Sequence, residues 1–158
     1  HWDGDGSFKR PWEYPAQALA TVVTHDMPPI AEYWRGDDVP LRATLGLYPE
    51  PALADAEAAR REPERAGLRQ LLDELGLRPP TEDTDSVTTA LHAAVGRTDA
   101  MLAVVQLDDV CGETTPVNVP GTWREYPNWQ RKLGVTLEAL ATDPRWLTLS
   151  SDMRSAGR

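Results

Sequence analysis

Two hydrophobic runs without polar alternation predict the strands of this chain. The first run is ATVVT, residues 20–24, and the second is MLAVVQL, residues 101–107. Strands of this kind are typical of parallel sheets, in which both faces are covered by other elements. We expect a short helical segment from residue 16 to lead into the first strand, after an irregular Gly- and Pro-containing segment over residues 1–15.

Between the two runs the hydrophobic spacing becomes helical. Four leucines share one face of a predicted helix at positions i, i+3, i+4 and i+7: Leu68, Leu71, Leu72 and Leu75. Gly76 stands where that helix is expected to end. The preceding stretch from Pro51 is rich in Ala, Glu and Arg, and Pro63 is predicted to divide the whole region into two helices.

Further helices are predicted from their start and stop signals. They begin at residue 29, residue 86, about residue 128 and the pair Asp143–Pro144. Thr84 or Asp85 is expected to cap the second of these helices, and Gly96 to follow its end. The order of elements is therefore strand, helices, strand, helix.

This order is typical of a βαβ unit in a parallel sheet, so the sequence predicts an α/β fold that is rich in helix. Two strands do not complete such a sheet, because parallel sheets usually contain several strands. We therefore expect the remaining strands to belong to another piece of protein. The chain of 158 residues is interpreted as a single structural unit, with residues 51–85 as a helical connector inside it.

Composition narrows the possible partners and the compartment. The net charge of −9 and the pI near 4.7 argue against nucleic acid and anionic membrane surfaces as partners. Cys111 is the one cysteine, so no internal disulfide is expected. No run approaches the ~18 apolar residues of a membrane span, and the first residues lack a signal-peptide layout. We expect a cytoplasmic protein without a membrane segment, and the sequence indicates no cofactor and no metal.

Acidic side chains follow both predicted strands. His25 and Asp26 come directly after the first strand, and Asp108 and Asp109 follow the second. Ligand sites of parallel α/β folds lie at the carboxyl ends of the strands. Asp26 either binds hydroxyl groups and stabilises developing positive charge, or it caps the next helix. For Asp108 and Asp109, helix capping or surface exposure is the favoured interpretation.

Two longer motifs carry a family resemblance. Residues 11–38 contain THDMPPIAEYWRGDD, and residues 106–133 contain PVNVPGTWREYPNW. In this order and spacing they resemble two regions of the 4-alpha-glucanotransferases of glycoside hydrolase family 77, also called amylomaltases or disproportionating enzymes. The resemblance implies a (β/α)8 TIM barrel, of which residues 1–158 would form the C-terminal portion with the last two strands and their helices.

The resemblance also implies a reaction. Enzymes of this family move an α-1,4-glucan segment from a maltodextrin donor to the 4-hydroxyl of an acceptor glucan or glucose, with retention of configuration. One carboxylate attacks the anomeric carbon and a second acts as acid and then as base. The resemblance places both of those carboxylates on earlier strands, so we expect this chain to be inactive alone and to require the N-terminal part of the same barrel.

The resemblance assigns roles to three residues. Asp26 corresponds to a third carboxylate, which stabilises the transition state through hydroxyls of the distorted sugar. His25 would bind a hydroxyl of the same sugar. Asn118 would face the sugar groove, although a turn residue is an equally acceptable interpretation. The nearby aromatic side chains are expected to pack in a core or an interface rather than on a sugar: Trp123, Tyr126 and Trp129.

The chain departs from the usual family pattern at three positions after Asp26. The family usually has His-Asp-Leu-Pro-Thr here, and then a small residue before the Tyr-Trp pair. This chain has Met27, Pro29 and Glu32 at the differing positions. These substitutions affect the entry to the following helix and leave Asp26 in place.

Two other functions are compatible with the sequence. In the first, the chain is a noncatalytic carbohydrate-binding or interaction module that keeps only part of a glucan-binding site. A metal site is a weaker alternative, because its candidate ligands lack the short repeated spacing of zinc sites: His25, Asp26, His92 and Cys111.

Overall fold

The computed structural model of the protein describes residues 7–158. A 3₁₀ turn at Pro11–Glu13 precedes the regular elements. In chain order these are β1 (Leu19–Thr21), α1 (Ile30–Arg35), α2 (Asp38–Thr44), α3 (Pro51–Glu74), α4 (Thr84–Gly96), β2 (Leu102–Val104), α5 (Leu107–Val110), α6 (Leu137–Leu140) and α7 (Pro144–Ser155). Residues 1–6 of the predicted irregular lead lie outside the described part. No described helix is long and apolar enough to cross a membrane.

The two strands pair in parallel, as the βαβ order predicts. Ala20 faces Ala103 in the register, between the pairs Leu19–Leu102 and Thr21–Val104. The helical segment predicted before β1 is absent. The backbone there pairs with β2 instead, because the Ala18 carbonyl accepts the Leu102 N–H at 3.2 Å. Leu19 and Leu102 are more than half exposed, so the described residues of this chain do not cover the strands on both faces.

Helix α4 is the centre of the packing. Its side chains Val87, Leu91 and Ala94 join Ile30 and Trp34 of α1 in one apolar cluster with Leu72 of α3. The opposite flank of α4 contacts α7. Gly96 was expected beyond the helix end, but it is the last helical residue, where a Cβ would lie 2.7 Å from the Met153 sulfur of α7. Close packing therefore explains that glycine.

Helix α3 is continuous through Pro63, so the predicted division into two helices is wrong. Proline removes one backbone hydrogen bond, but tertiary contacts hold the helix on both sides of it. Before Pro63, the Arg61 guanidinium donates to both Asp38 oxygens at 2.8 Å in a buried pair. After Pro63, Leu71 and Leu72 are buried. Gly76 takes a positive φ of 65° directly after the helix end, as the stop signal predicts.

The capping predictions had mixed outcomes. Asp83, rather than Thr84 or Asp85, caps α4, because its Oδ1 accepts the Ser86 N–H at 2.9 Å. Hydrogen bonds from Thr81 and Ser86 lower the pKa of Asp83 to about 2. Asp143 caps α7 as expected, and its Oδ1 accepts the Arg145 N–H at 2.9 Å.

The helix predicted from about residue 128 is absent, since residues 127–136 contain no described helix. Trp129 instead takes a left-handed φ of 62° and donates its N–H to the Val117 carbonyl at 2.9 Å. That bond ties the segment back to the preceding loop, which is incompatible with a helical start. The short helices α2, α5 and α6 were not predicted, and α5 begins at Leu107, the last residue of the predicted second strand.

Candidate functional site

The loop after β1 presents His25 and Asp26 to the surface. The Met27 N–H donates to the Thr24 carbonyl at 3.0 Å, and this turn separates the pair from α1. About half of each side chain is exposed, 55% for His25 and 52% for Asp26. The capping interpretation of Asp26 is wrong, because the N–H of Ile30, the first residue of α1, donates to a different carboxylate.

Asn118 meets Asp26 although 92 positions separate them in the sequence. The Asn118 Nδ2 donates to Asp26 Oδ1 at 2.7 Å, and His25 Nε2 lies 3.4 Å from the same oxygen. The structure therefore brings together the three residues that the resemblance singles out. Asp26 Oδ2 accepts no hydrogen bond from the described residues, and the side chain as a whole is 52% exposed.

Asn128 organises the loop that carries Asn118. Its Oδ1 accepts the Val119 N–H at 2.8 Å, and its Nδ2 donates to the Thr122 hydroxyl at 2.8 Å. The Tyr126 hydroxyl donates to the Pro116 carbonyl at 2.6 Å from the other side of the loop. Because Asn128 supplies these internal bonds, the Asn118 amide is available to Asp26 and does not act only as a turn residue.

Trp129 lies against His25 and remains exposed. The ring centroids are 5.1 Å apart with an interplanar angle of 50°, and 62% of Trp129 is accessible to solvent. Trp123 is also exposed, so neither tryptophan packs in a core of this chain, while packing in an interface stays a prediction for both. Tyr126 is half-buried, in keeping with its hydrogen bond. The surface next to Asp26 therefore combines an imidazole with an indole face.

The buried Asp109 connects the start of α1 to α4. Its Oδ1 accepts the Ile30 N–H at 2.8 Å, and its Oδ2 lies 3.2 Å from His92 Nε2. Both side chains are fully buried. Surface exposure was thus the wrong expectation for Asp109, which caps α1 from a distant part of the chain. Asp108 forms an ion pair with Arg131 at 2.6 Å.

A cavity of about 150 Å³ opens beside Asp26 and Asn118. Glu32 of α1 and Asp38 of α2 line it. Glu32 is only 2% exposed, and its Oε2 has no hydrogen-bond partner among the described residues. The pKa of Glu32 is raised to about 7, mainly by burial and in smaller part by the negative charges of Asp38 and Asp37.

The metal alternative is not supported by the structure. Among residues 7–158 no group of three or more His, Cys, Asp and Glu side chains is arranged to hold a metal ion. His92 is engaged with Asp109, and Cys111 packs in an apolar cluster with Leu140 and Leu149. These two side chains do not join His25 and Asp26.

The site is suited to binding hydroxyl groups. The free oxygen of Asp26 accepts hydrogen bonds, while the indole of Trp129 offers an aromatic face for an apolar sugar surface. The sequence did not point to Asn128 or to the exposed position of Trp129, and it indicated helix capping by Asp109 only as an alternative to surface exposure, without the helix that it caps. Asn128 and Trp129 could have been found from the sequence, because they belong to the Pro-Asn-Trp end of the second motif. No sequence pattern near Asp109 indicates its contact with Ile30, which is 79 positions away.

Comparisons with known proteins agree on one family. A 4-alpha-glucanotransferase model of glycoside hydrolase family 77 matches residues 1–136. The 4-alpha-glucanotransferase of Mycobacterium tuberculosis is 40% identical over 146 residues, which are 87% of this chain and 20% of that protein. The Haemophilus influenzae 4-alpha-glucanotransferase is 31% identical over 141 residues, with shares of 84% and 20%. The chain thus spans about a fifth of the length of these relatives.

A solved structure shows the same fold. Amylomaltase from Corynebacterium glutamicum superposes with a TM-score of 0.85 at 29% identity, over 97% of this chain and 24% of that chain. This likeness confirms the expected α/β fold as a segment of a TIM barrel. It also explains why a helix-rich chain contains only two short strands among the described residues.

Proposed function

The chain belongs to the 4-alpha-glucanotransferase family, and from this premise we propose that it supplies part of the substrate site of such an enzyme. The proposed reaction moves an α-1,4-glucan segment from a maltodextrin donor to the 4-hydroxyl of an acceptor glucan or glucose, with retention. The observation that carries this proposal is the contact of Asn118 with Asp26 at 2.7 Å beside His25, at the end of β1.

In this proposal Asp26 stabilises the transition state. Its free oxygen accepts hydrogen bonds from hydroxyls of the reacting sugar, and these bonds strengthen as positive charge develops on the ring. The Asn118 amide fixes the carboxylate orientation by holding Oδ1. His25 donates or accepts a hydrogen bond at a neighbouring hydroxyl, and Trp129 limits the rotation of the imidazole ring by contact.

We assign the nucleophile and the acid/base to another part of the barrel. The 158-residue chain is therefore proposed to have no transferase activity by itself. Its partner would be the N-terminal part of the same barrel, which would cover the open sides of the sheet. The exposed apolar side chains on and next to the two strands support this assignment: Leu19, Met101, Leu102 and Val104. Cytoplasmic location is part of the proposal and rests on the single cysteine.

A noncatalytic carbohydrate-binding module is the second candidate. The exposed Trp129 next to His25 favours it, because an indole beside hydrogen-bonding groups binds sugar without any turnover. The two candidates differ in whether a functional barrel forms with a partner. Both predict that this surface binds maltooligosaccharides.

The first test is calorimetric titration of the chain with maltotriose. Asp26→Asn removes the charge that accepts hydroxyl hydrogen bonds, so we expect affinity to fall about tenfold or more. Asp99→Asn is the matched control, because Asp99 is exposed and distant in the fold from this loop. Equal affinity for Asp26→Asn and the parent chain would contradict the assignment of Asp26.

Incubation of the same chain with maltotriose tests the assignment of the missing carboxylates. Chromatography of the products should show no longer glucans at any time, because the nucleophile and the acid/base are absent. Formation of maltopentaose or longer products would overturn that assignment. If those products were then lost in Asp26→Asn, all the catalytic groups, including Asp26, would belong to this chain.

A further inference from the structure

The Asp26 loop, residues 24–29, is exposed between two buried residues. Residues 24–27 are exposed, whereas Val23 before them and Ile30 after the loop are buried. Exposed loops are more mobile than the elements that they connect. The position of the Asp26 carboxylate therefore depends on what holds the two ends of this loop.

Two side chains from the segment after β2 hold these ends. The Gln106 amide donates to the Val23 carbonyl at 3.1 Å, across 83 positions of the sequence. The Asp109 carboxylate accepts the Ile30 N–H at 2.8 Å, and its other oxygen lies 3.2 Å from the buried His92 Nε2. Gln106 is the N-cap residue of α5 and Asp109 lies within α5. One short helix therefore holds both ends of the loop.

Two prolines make the second attachment stiff. Pro28 and Pro29 connect Met27 to Ile30. Proline fixes φ, so this part of the backbone has few ways to absorb a movement of Ile30. A displacement of the Ile30 N–H would therefore be passed on to Asp26.

The carboxylate of the loop is held from the same region of the chain. Asn118 donates to Asp26 Oδ1 at 2.7 Å. All three side chains that contact the loop in this way lie within residues 106–133, the region of the second family motif: Gln106, Asp109 and Asn118. This region thus contacts the Asp26 loop at its start, at its carboxylate and at its end.

We propose that Gln106 and Asp109 are positioning residues for Asp26. By fixing the two ends of the loop, they keep the Asp26 carboxylate within hydrogen-bonding distance of Asn118 and in one orientation towards a ligand. The inference deepens the proposed function and rests on it where glucan binding is concerned. The contact between Asp26 and Asn118, in contrast, can be measured without any ligand.

Gln106→Met tests the first attachment. Methionine has a similar length and no N–H donor, while the Thr21 hydroxyl still donates to the Val23 carbonyl at 2.9 Å. The variant should therefore stay folded while the loop loses its hydrogen bond to Gln106. Gln70→Met is the matched control, because Gln70 is exposed and donates to Glu74 within α3.

The readout without ligand is the NMR signal of the Asn118 side-chain amide. In the parent chain we expect one of its protons downfield of those of exposed amides, since it donates to a carboxylate. Gln106→Met should move this signal towards the position of a free amide, and Gln70→Met should leave it in place. An unmoved signal in Gln106→Met would overturn the positioning role of Gln106.

Asp109→Asn and Asp109→Ala test the second attachment at a temperature where both variants are folded. Asparagine keeps an oxygen that accepts the Ile30 N–H and an amide that donates to His92, whereas alanine keeps neither. The Asn118 signal should therefore shift less in Asp109→Asn than in Asp109→Ala. Equal shifts in the two variants, or no shift in Asp109→Ala, would contradict the positioning role of Asp109.

Titration with maltotriose separates positioning from a general effect on the fold. Loss of the hydrogen bond that orients the loop should weaken binding by Gln106→Met about fivefold. In the Asp26→Asn background the same change should have little further effect, because Gln106 acts through the Asp26 carboxylate. A further fivefold loss in that background would make Gln106 a structural residue only and would overturn its positioning role.

The outcomes for positioning and for glucan binding can be told apart. Absence of maltotriose binding to the parent chain would reject the proposed function, while a shifted Asn118 signal in Gln106→Met would still support the positioning of Asp26. Parent-like maltotriose binding by Gln106→Met, with an unmoved Asn118 signal, would retain the proposed function and reject the positioning role.

Discussion

At the scale of residues, two carboxyl groups of the β1–α1 region lie in different environments. Asp26 is half exposed, and Asn118 holds one of its oxygens at 2.7 Å. Glu32 of α1 is buried, which favours its neutral form and is the main reason that its pKa is raised to about 7. The exposed carboxylate of Asp26 is accessible to a ligand, whereas the buried carboxyl group of Glu32 affects the stability of the fold.

Glu32 should make the stability of the chain depend on pH. Its pKa rises on folding from about 4.5 to about 7, so the folded state binds the proton more tightly. The contribution of Glu32 to the free energy of unfolding is therefore greatest below pH 4.5, and this contribution is lost as the pH rises through 7. The loss should amount to about 3 kcal/mol. Urea denaturation at about pH 5 and pH 8 measures it.

Glu32→Gln is the control for that measurement, because it preserves shape and removes the titration. The difference in unfolding free energy between the two pH values should shrink by about 3 kcal/mol in this variant. All other titrating groups are common to both proteins. An equal pH dependence for the two proteins would show that Glu32 does not titrate across this interval.

At the scale of elements, long-range contacts decide where helices begin and how loops are held. Asp109 accepts the first N–H of α1, and Asn128 holds the loop that carries Asn118. Local signals predicted the start of α7 at Asp143, because that cap lies within its own segment. Helix capping was one of two interpretations for Asp109, but local signals did not predict that it caps α1, because the Ile30 N–H and the Asp109 carboxylate are 79 positions apart. They also failed at Trp129, where a backbone bond to Val117 replaces the predicted helix.

Asp109→Ala should destabilise the fold strongly. It leaves the Ile30 N–H and the buried His92 without their partner, which should cost about 2–4 kcal/mol. Asp108→Ala is the neighbouring control, and loss of its partly exposed pair with Arg131 should cost about 1 kcal/mol or less. Chemical denaturation of both variants gives the comparison. Equal losses would contradict a buried anchoring role for Asp109.

At the scale of the whole molecule, a parallel strand pair with packed helices brings two distant sequence motifs to one surface. The strand order and the parallel pairing were predictable from the two apolar runs. The family resemblance singled out His25, Asp26 and Asn118, which lie together, and their roles stay predictions. The exposure of the strands was not predictable from the apolar pattern alone, because that pattern describes burial in a complete sheet. The exposed Leu19 and Leu102 show the difference.

One measurement tests the central claim that these two motifs form a single glucan site. Maltotriose is titrated into ¹⁵N-labelled chain while the Asn118 side-chain amide is followed by NMR. We expect the signals of the Asn118 amide, His25 and Asp26 to shift together with one shared binding constant, since one ligand contacts all three. Shifts confined to residues outside this loop pair, or different binding constants for the two motifs, would contradict the claim.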